Sequence, residues 1–108
     1  MSKCVKKQAP LLIYLAKAKP AVVKAIINTG DKELINALCE CALNVLSGNV
    51  PLTKTQKTRL CRHKTGLREI SRKNTSLKKK KETLQRGGFL GALLSPILGI
   101  LGGLLGER

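Results

Sequence analysis

Cys39-Glu40-Cys41 and Cys61-Arg62-His63 place thiols and an imidazole at C-x-C and C-x-H spacing, the atom types of a tetrahedral zinc site. The spacing argues against that chemistry. Residues two apart on a helix point about 200° away from each other, so both pairs would have to leave their helices to converge. Cys4, Cys39, Cys41 and Cys61 are therefore expected to be structural, half-buried thiols, with no metal or other cofactor. His63, the single histidine, is expected beside the basic surface. No nucleophile, base and orienting group can be assembled into a set, and the phosphate-cradling pattern G-x-x-x-x-G-K-[ST] does not occur. An enzyme is not expected.

Charge points to a different chemistry. The chain of 108 residues carries 21 Lys+Arg against 6 Asp+Glu, a net +15, which favours polyanions or anionic membrane surfaces as partners. Residues 1–52 hold 7 basic and 3 acidic side chains, residues 53–86 hold 13 and 2, and residues 87–108 hold one of each. The middle third thus carries the electrostatics. Its candidate phosphate contacts are Lys54, Lys57, Arg59, Arg62, Arg68, Arg72, Lys78, Lys79, Lys80, Lys81 and Arg86. Asn74 and Gln85 lie outside any clear recognition helix, so backbone-driven, sequence-tolerant binding to double-stranded DNA is expected. Aromatic residues are 2% of the chain, too few for a platform on which unpaired bases stack. The weaker alternative is that these cations form a solvated face or a membrane-surface patch beside the tail.

The elements that must position these residues read as helices. In "DKELINALCECALNVLSGN", Asp31 can cap the first turn, and Leu34, Ile35, Leu38, Ala42, Leu43 and Leu46 recur at steps of three and four. Gly48 suits a left-handed stop. "PLLIYLAKAK" and "PAVVKAIINTG" read as two short helices opened by Pro10 and Pro20, the second closed by Gly30. Thr53 and Gln56 form a capping-box pattern that starts a helix over residues 53–71, with Leu60, Cys61, Leu67 and Ile70 as its narrow apolar stripe. Ser76 can cap one more helix, "LKKKKETLQR", ending at Gly87. With the helix over 31–47, the 53–71 helix also invites a helix-turn-helix reading.

From Gly87 to Gly106 no charge occurs, and 20 helical residues would reach about 30 Å, the thickness of a hydrocarbon core. Seven of those residues are Gly and one is Pro96, so the segment should not be a stable helix alone in water. In lipid, unpaired backbone groups are costly enough to drive it into a helix. Gly99, Gly102, Gly103 and Gly106 then provide a G-x-x-x-G face for close helix packing, which makes a homo-oligomer one expected state. Phe89, Leu90, Leu93, Leu94, Ile97, Leu98, Ile100, Leu101, Leu104 and Leu105 would face lipid. The alternative is a tail that packs on the domain or into a groove of another protein. The N-terminal "MSKCVKKQAP" is polar and basic rather than an apolar signal, so a reducing compartment is expected.

The run "INALCECALNVLSGNVPLTKTQKTRLCRHKTGLREISRKNTSLKKKKETLQRGGFLGALLSPILG", residues 35–99, resembles small proteins encoded by Maverick/Polinton elements and adintoviruses, DNA elements related to adenoviruses. Those proteins look like relatives of the adenovirus Mu core protein precursor (protein X), which joins a basic DNA-condensing part to a hydrophobic C-terminal end. The matching junction is Gly87-Gly88-Phe89-Leu90. The adenovirus protease family favours cleavage after an aliphatic-x-Gly-Gly pattern, which Ile100-Leu101-Gly102-Gly103 fits and Leu84-Gln85-Arg86-Gly87 breaks at Arg86. The resemblance implies a virion or element-encoded accessory role, in the virion or the host nucleus.

The sequence therefore predicts an all-α chain in four parts: a basic flexible N-terminus (1–9), a small helical domain (10–71), a basic helix or linker (72–86) and a membrane-active hydrophobic tail (87–106). Its expected function is non-enzymatic, holding DNA through residues 54–86 and engaging membrane or capsid proteins through the tail. Two alternatives stand beside it: a membrane-permeabilising or membrane-anchored protein whose cations target anionic lipid, and a helix-turn-helix regulator.

Overall fold

Val5, Ala9, Leu12 and Leu15, spaced by three and four, form the buried stripe of the first helix, α1 (Lys3–Lys17). This is one of a set of seven α-helices in a computed structural model that describes residues 3–86 and 88–99. The chain is all-α, and the described residues include no strand. Helix α1 begins well before the predicted start at Pro10, which sits inside it. Proline removes one backbone donor and crowds the preceding turn. Burial of Val5 and Ala9, both fully enclosed, offsets that cost, so residues 4–9 are part of the fold rather than a flexible arm.

Helix α2 (Pro20–Thr29) opens with Pro20 in its first turn and stops at Gly30, in extended backbone. Helix α3 (Lys32–Leu46) starts where Asp31 accepts a hydrogen bond from the Leu34 N–H at 3.0 Å, and it ends at Gly48 with φ +78°. Its buried arc is Leu34, Ile35, Ala37, Leu38, Cys41, Ala42 and Val45. Leu43 and Leu46, predicted to share that stripe, are exposed to 51% and 39% because the arc is centred one residue further round, on Leu38 and Cys41.

The predicted helix over 53–71 is two helices, α4 (Lys54–Cys61) and α5 (Lys64–Ser71), set apart by Arg62 and His63. The capping box at Thr53 and Gln56 is present in both directions, at 3.1 and 3.0 Å. At the break, Arg62 N–H and His63 N–H donate to carbonyls three residues back, which tightens and ends α4. Ser76 caps α6 (Leu77–Leu84) by accepting from Lys79 N–H at 3.1 Å. The predicted stop at Gly87 lies outside the described residues; the last helical residue is Leu84. Helix α7 (Phe89–Leu94) follows, then a single 3₁₀ turn at Ser95–Ile97.

Helix α3 is the hub, packing against α1, α5, α6 and α7, while α7 also lies on α1, α4 and α6. That arrangement corrects the expected division at the Gly-Gly junction. Phe89, Leu90, Leu93, Leu94 and Ile97 are all within 3% of complete burial and belong to the same core as Leu12, Leu38 and Ile70. The physical reason is that α7 packs its apolar side chains onto α1 and α3, which share one core with it. Thus, among the described residues, the core runs from residue 5 to residue 97, rather than from 10 to 71. Among the described residues, no helix is long and apolar enough to cross a membrane.

Candidate nucleic-acid interface

Residues 54–72 contain seven basic side chains and one acid, Glu69. Helices α4 and α5 are too short to bury more than a few positions each: Leu60 on the first, and Gly66, Leu67 and Ile70 on the second. Their remaining faces are left to solvent, and Lys54, Lys57, Arg59, Arg62, Lys64, Arg68 and Arg72 are all exposed. Glu69 is turned away from most of them, towards α6, where its two carboxylate oxygens lie 3.7 Å from Lys79 Nζ and 3.8 Å from Arg86 Nη2. Both distances are long and both cations stay about half exposed, so the pairs contribute little stability; they set the direction of Glu69.

The four consecutive lysines of α6 do not share a face, since successive helical residues turn by about 100°. Lys78 is exposed, Lys79 reaches Glu69, and Lys80 is half-buried on the side of α3, close enough to Cys39 for its charge to act on that thiol. Lys81 Nζ donates to the Asn28 carbonyl of α2 at 3.1 Å, beside a Gln85–Asn28 side-chain hydrogen bond of 3.0 Å. Lys81 and Gln85 therefore fasten α6 to α2. The free cations concentrate on α4 and α5, and of the eleven side chains predicted from sequence, Lys80 and Lys81 are the two drawn inward.

At the join between α4 and α5, several of these groups meet. The Arg59 guanidinium lies over α7, with Nη2 3.5 Å from the position a Cβ would take at Gly91. The His63 ring stands edge-on to Phe89, with ring centroids 5.6 Å apart at 88°, and its Nε2 faces Gly88, 4.0 Å from where a Cβ would lie. Gly88, at φ +77°, makes the turn that brings Phe89 under this ring. Burial, followed by the fields of Arg59, Arg62 and Arg86, holds His63 below the ordinary histidine range. His63 was legible in the sequence only as a neighbour of the basic surface. Its place amid three guanidiniums depends on the helix break and on α7, neither of which periodicity revealed.

On the other side of α4, Lys57, Cys61 and Lys64 edge an apolar groove floored by Val45, Leu46, Leu52, Leu60 and Leu67. Of the four thiols, Cys61 is exposed, Cys4 and Cys39 are half-buried and Cys41 is buried. Burial pushes the Cys41 thiol up to about 12, with smaller contributions from Glu40, Cys39 and Cys4. Cys4 Sγ lies 3.4 Å from the Glu33 carbonyl oxygen, to which it donates. Among the described residues, no three His, Cys, Asp or Glu side chains are placed to hold a metal ion.

Of the residues expected to face lipid, Phe89, Leu90, Leu93, Leu94 and Ile97 are core and Leu98 is half-buried. Gly99 is exposed, with nothing within 4 Å of the position a Cβ would take there. Ile100, Leu101, Leu104 and Leu105, the glycines Gly102, Gly103 and Gly106, and the Ile100-Leu101-Gly102-Gly103 cleavage pattern lie outside the described residues. No protein-family model, curated protein or solved structure matches the chain.

Proposed function

We propose that this protein is a non-enzymatic binder of double-stranded DNA that grips the phosphate backbone through α4 and α5 without reading sequence. The observation that carries this reading is the run of exposed cations on these two helices, whose single acid is turned towards α6. Arg and Lys held on a packed helical surface neutralise phosphates and release counterions, which supplies affinity irrespective of base order. The resemblance to element-encoded core-type proteins suggests the role of an accessory protein that coats or condenses DNA. Contact with a membrane or capsid protein, if it involves the described part of the tail, requires α7 to leave the core.

Fluorescence anisotropy with a 20-base-pair duplex at several salt concentrations tests the reading. If five phosphates are contacted, affinity falls about 500-fold between 50 and 200 mM salt. Scrambled duplexes should bind equally well. A preference of more than a hundredfold for one duplex at physiological salt would point instead to a helix-turn-helix regulator. Absence of binding at 50 mM salt would overturn the proposal.

A further inference from the structure

Among the exposed cations, the group at the α4–α5 join differs from the rest by being assembled from three separate segments. Arg59 comes from α4, Arg62 and His63 from the break, and Arg86 from the turn after α6. Two of the four have a backing surface: Arg59 lies on Gly91, and the imidazole lies against Phe89 and faces Gly88. The only described carboxylate in ion-pair range of the group is Glu69, 3.8 Å from Arg86 and shared with Lys79. Neither Arg59 nor Arg62 is paired with a described acid, and neither ring nitrogen of His63 has a hydrogen-bond partner among the described residues.

We propose that Arg59, Arg62, His63 and Arg86 form a seat for one phosphate group of a nucleic-acid backbone, with His63 donating to it as an imidazolium. The inference rests on the DNA-binding reading and deepens it by adding a titrating contact. Burial, followed by the repulsion of the three guanidiniums, disfavours a further positive charge on the ring in the free protein. A phosphate oxyanion arriving between them reverses that field. The ring then takes up a proton from solvent and its N–H can donate to a phosphate oxygen, a charge-assisted hydrogen bond. Proton uptake on binding makes affinity rise as pH falls, by at most tenfold per pH unit for one proton. Arg59, Arg62 and Arg86 are the charged groups acting on the ring, and Phe89, the contact from α7, carries no charge.

Because His63 is the chain's single histidine, its ring resonances report the site directly by NMR. The full-length chain is titrated from pH 7.5 to 5.0, free and saturated with a mixed-sequence duplex at fixed ionic strength, beside His63→Gln and Arg62→Gln. The expected result is a His63 midpoint at least one pH unit higher when duplex is bound, and an affinity that gains several-fold between pH 7.5 and 5.5. His63→Gln should lose that gain while keeping its salt dependence, and Arg62→Gln should reduce the salt slope by about one phosphate. Salt-dependent duplex binding with an unmoved His63 midpoint overturns the seat and leaves the DNA-binding reading intact, whereas no duplex binding overturns both. Inorganic phosphate and phosphatidylglycerol vesicles serve as the remaining arms. A midpoint that rises with vesicles but not with duplex overturns the nucleic-acid assignment; one that rises with duplex alone supports it.

Discussion

Replacing Phe89 with alanine separates a tail that belongs to the core from one that awaits a membrane. The ring is 1% exposed, stands edge-on to His63, and fills the space over Gly66, where an added Cβ would come within 2.8 Å of its Cε1. Gly66 has no side chain that could move into the void, and Thr83 and Leu84 are held in α6, so the site has little means of collapsing. A buried Phe→Ala change of this kind costs about 3–5 kcal/mol, against about 5–15 kcal/mol for the stability of a whole domain. At about 4–8 °C per kcal/mol for a domain of this size, the melting temperature should drop by at least about 12 °C. Circular dichroism melts of the two chains at low salt provide the measurement. Leu43→Ala is the control, because it deletes a large apolar side chain that is 51% exposed and should change stability by less than about 1 kcal/mol. A Phe89→Ala melt within 3 °C of wild type, equal to that control, would refute the assignment of α7 to the core.

Four further outcomes follow from particular residues. Gly66→Ala should destabilise the fold by about 1–3 kcal/mol in chemical denaturation despite the better helix propensity of alanine, because the new methyl meets Phe89 at 2.8 Å and Thr83 Cγ2 at 3.1 Å. Asp31→Ala removes the acceptor for Leu34 N–H at the head of the central helix and should cost about 1 kcal/mol, measured the same way. With its thiol pushed up to about 12, Cys41 should resist alkylation at pH 8 in the native protein while exposed Cys61 reacts; equal labelling would show that α3 opens readily. His63 is held below its ordinary value of 6.5, so the unfolded chain binds the proton more readily just below that pH. The stability contributed by the neutral ring is therefore complete above about 6.5 and declines as pH falls towards the depressed value, and in DNA-free protein His63→Gln should remove that part of the acid sensitivity.

How much of this molecule could be read from its sequence depended on whether the deciding interaction was local. Asp31, the Thr53–Gln56 pair and Ser76 all cap helices as their spacing predicts, because the donor and acceptor are three residues apart and need no other part of the chain. The left-handed stop at Gly48 is equally local. Pro10 misled in the opposite sense: its ring chemistry favours a helix start, yet burial of Val5 and Ala9 against α3 carries the helix back to Lys3. The oily segment is the extreme case. "GGFLGALLSPILG" has the same composition whether it meets acyl chains or protein, and the choice is made by the apolar faces of α1 and α3, at least 40 residues away in the chain. Once α7 occupies those faces, Gly88 and Phe89 are fixed beneath His63, and Gly91 lies beneath Arg59. The packing that seats Phe89, Leu90, Leu93, Leu94 and Ile97 in the core is thus the same packing that sets Phe89 against His63 and Gly91 against Arg59.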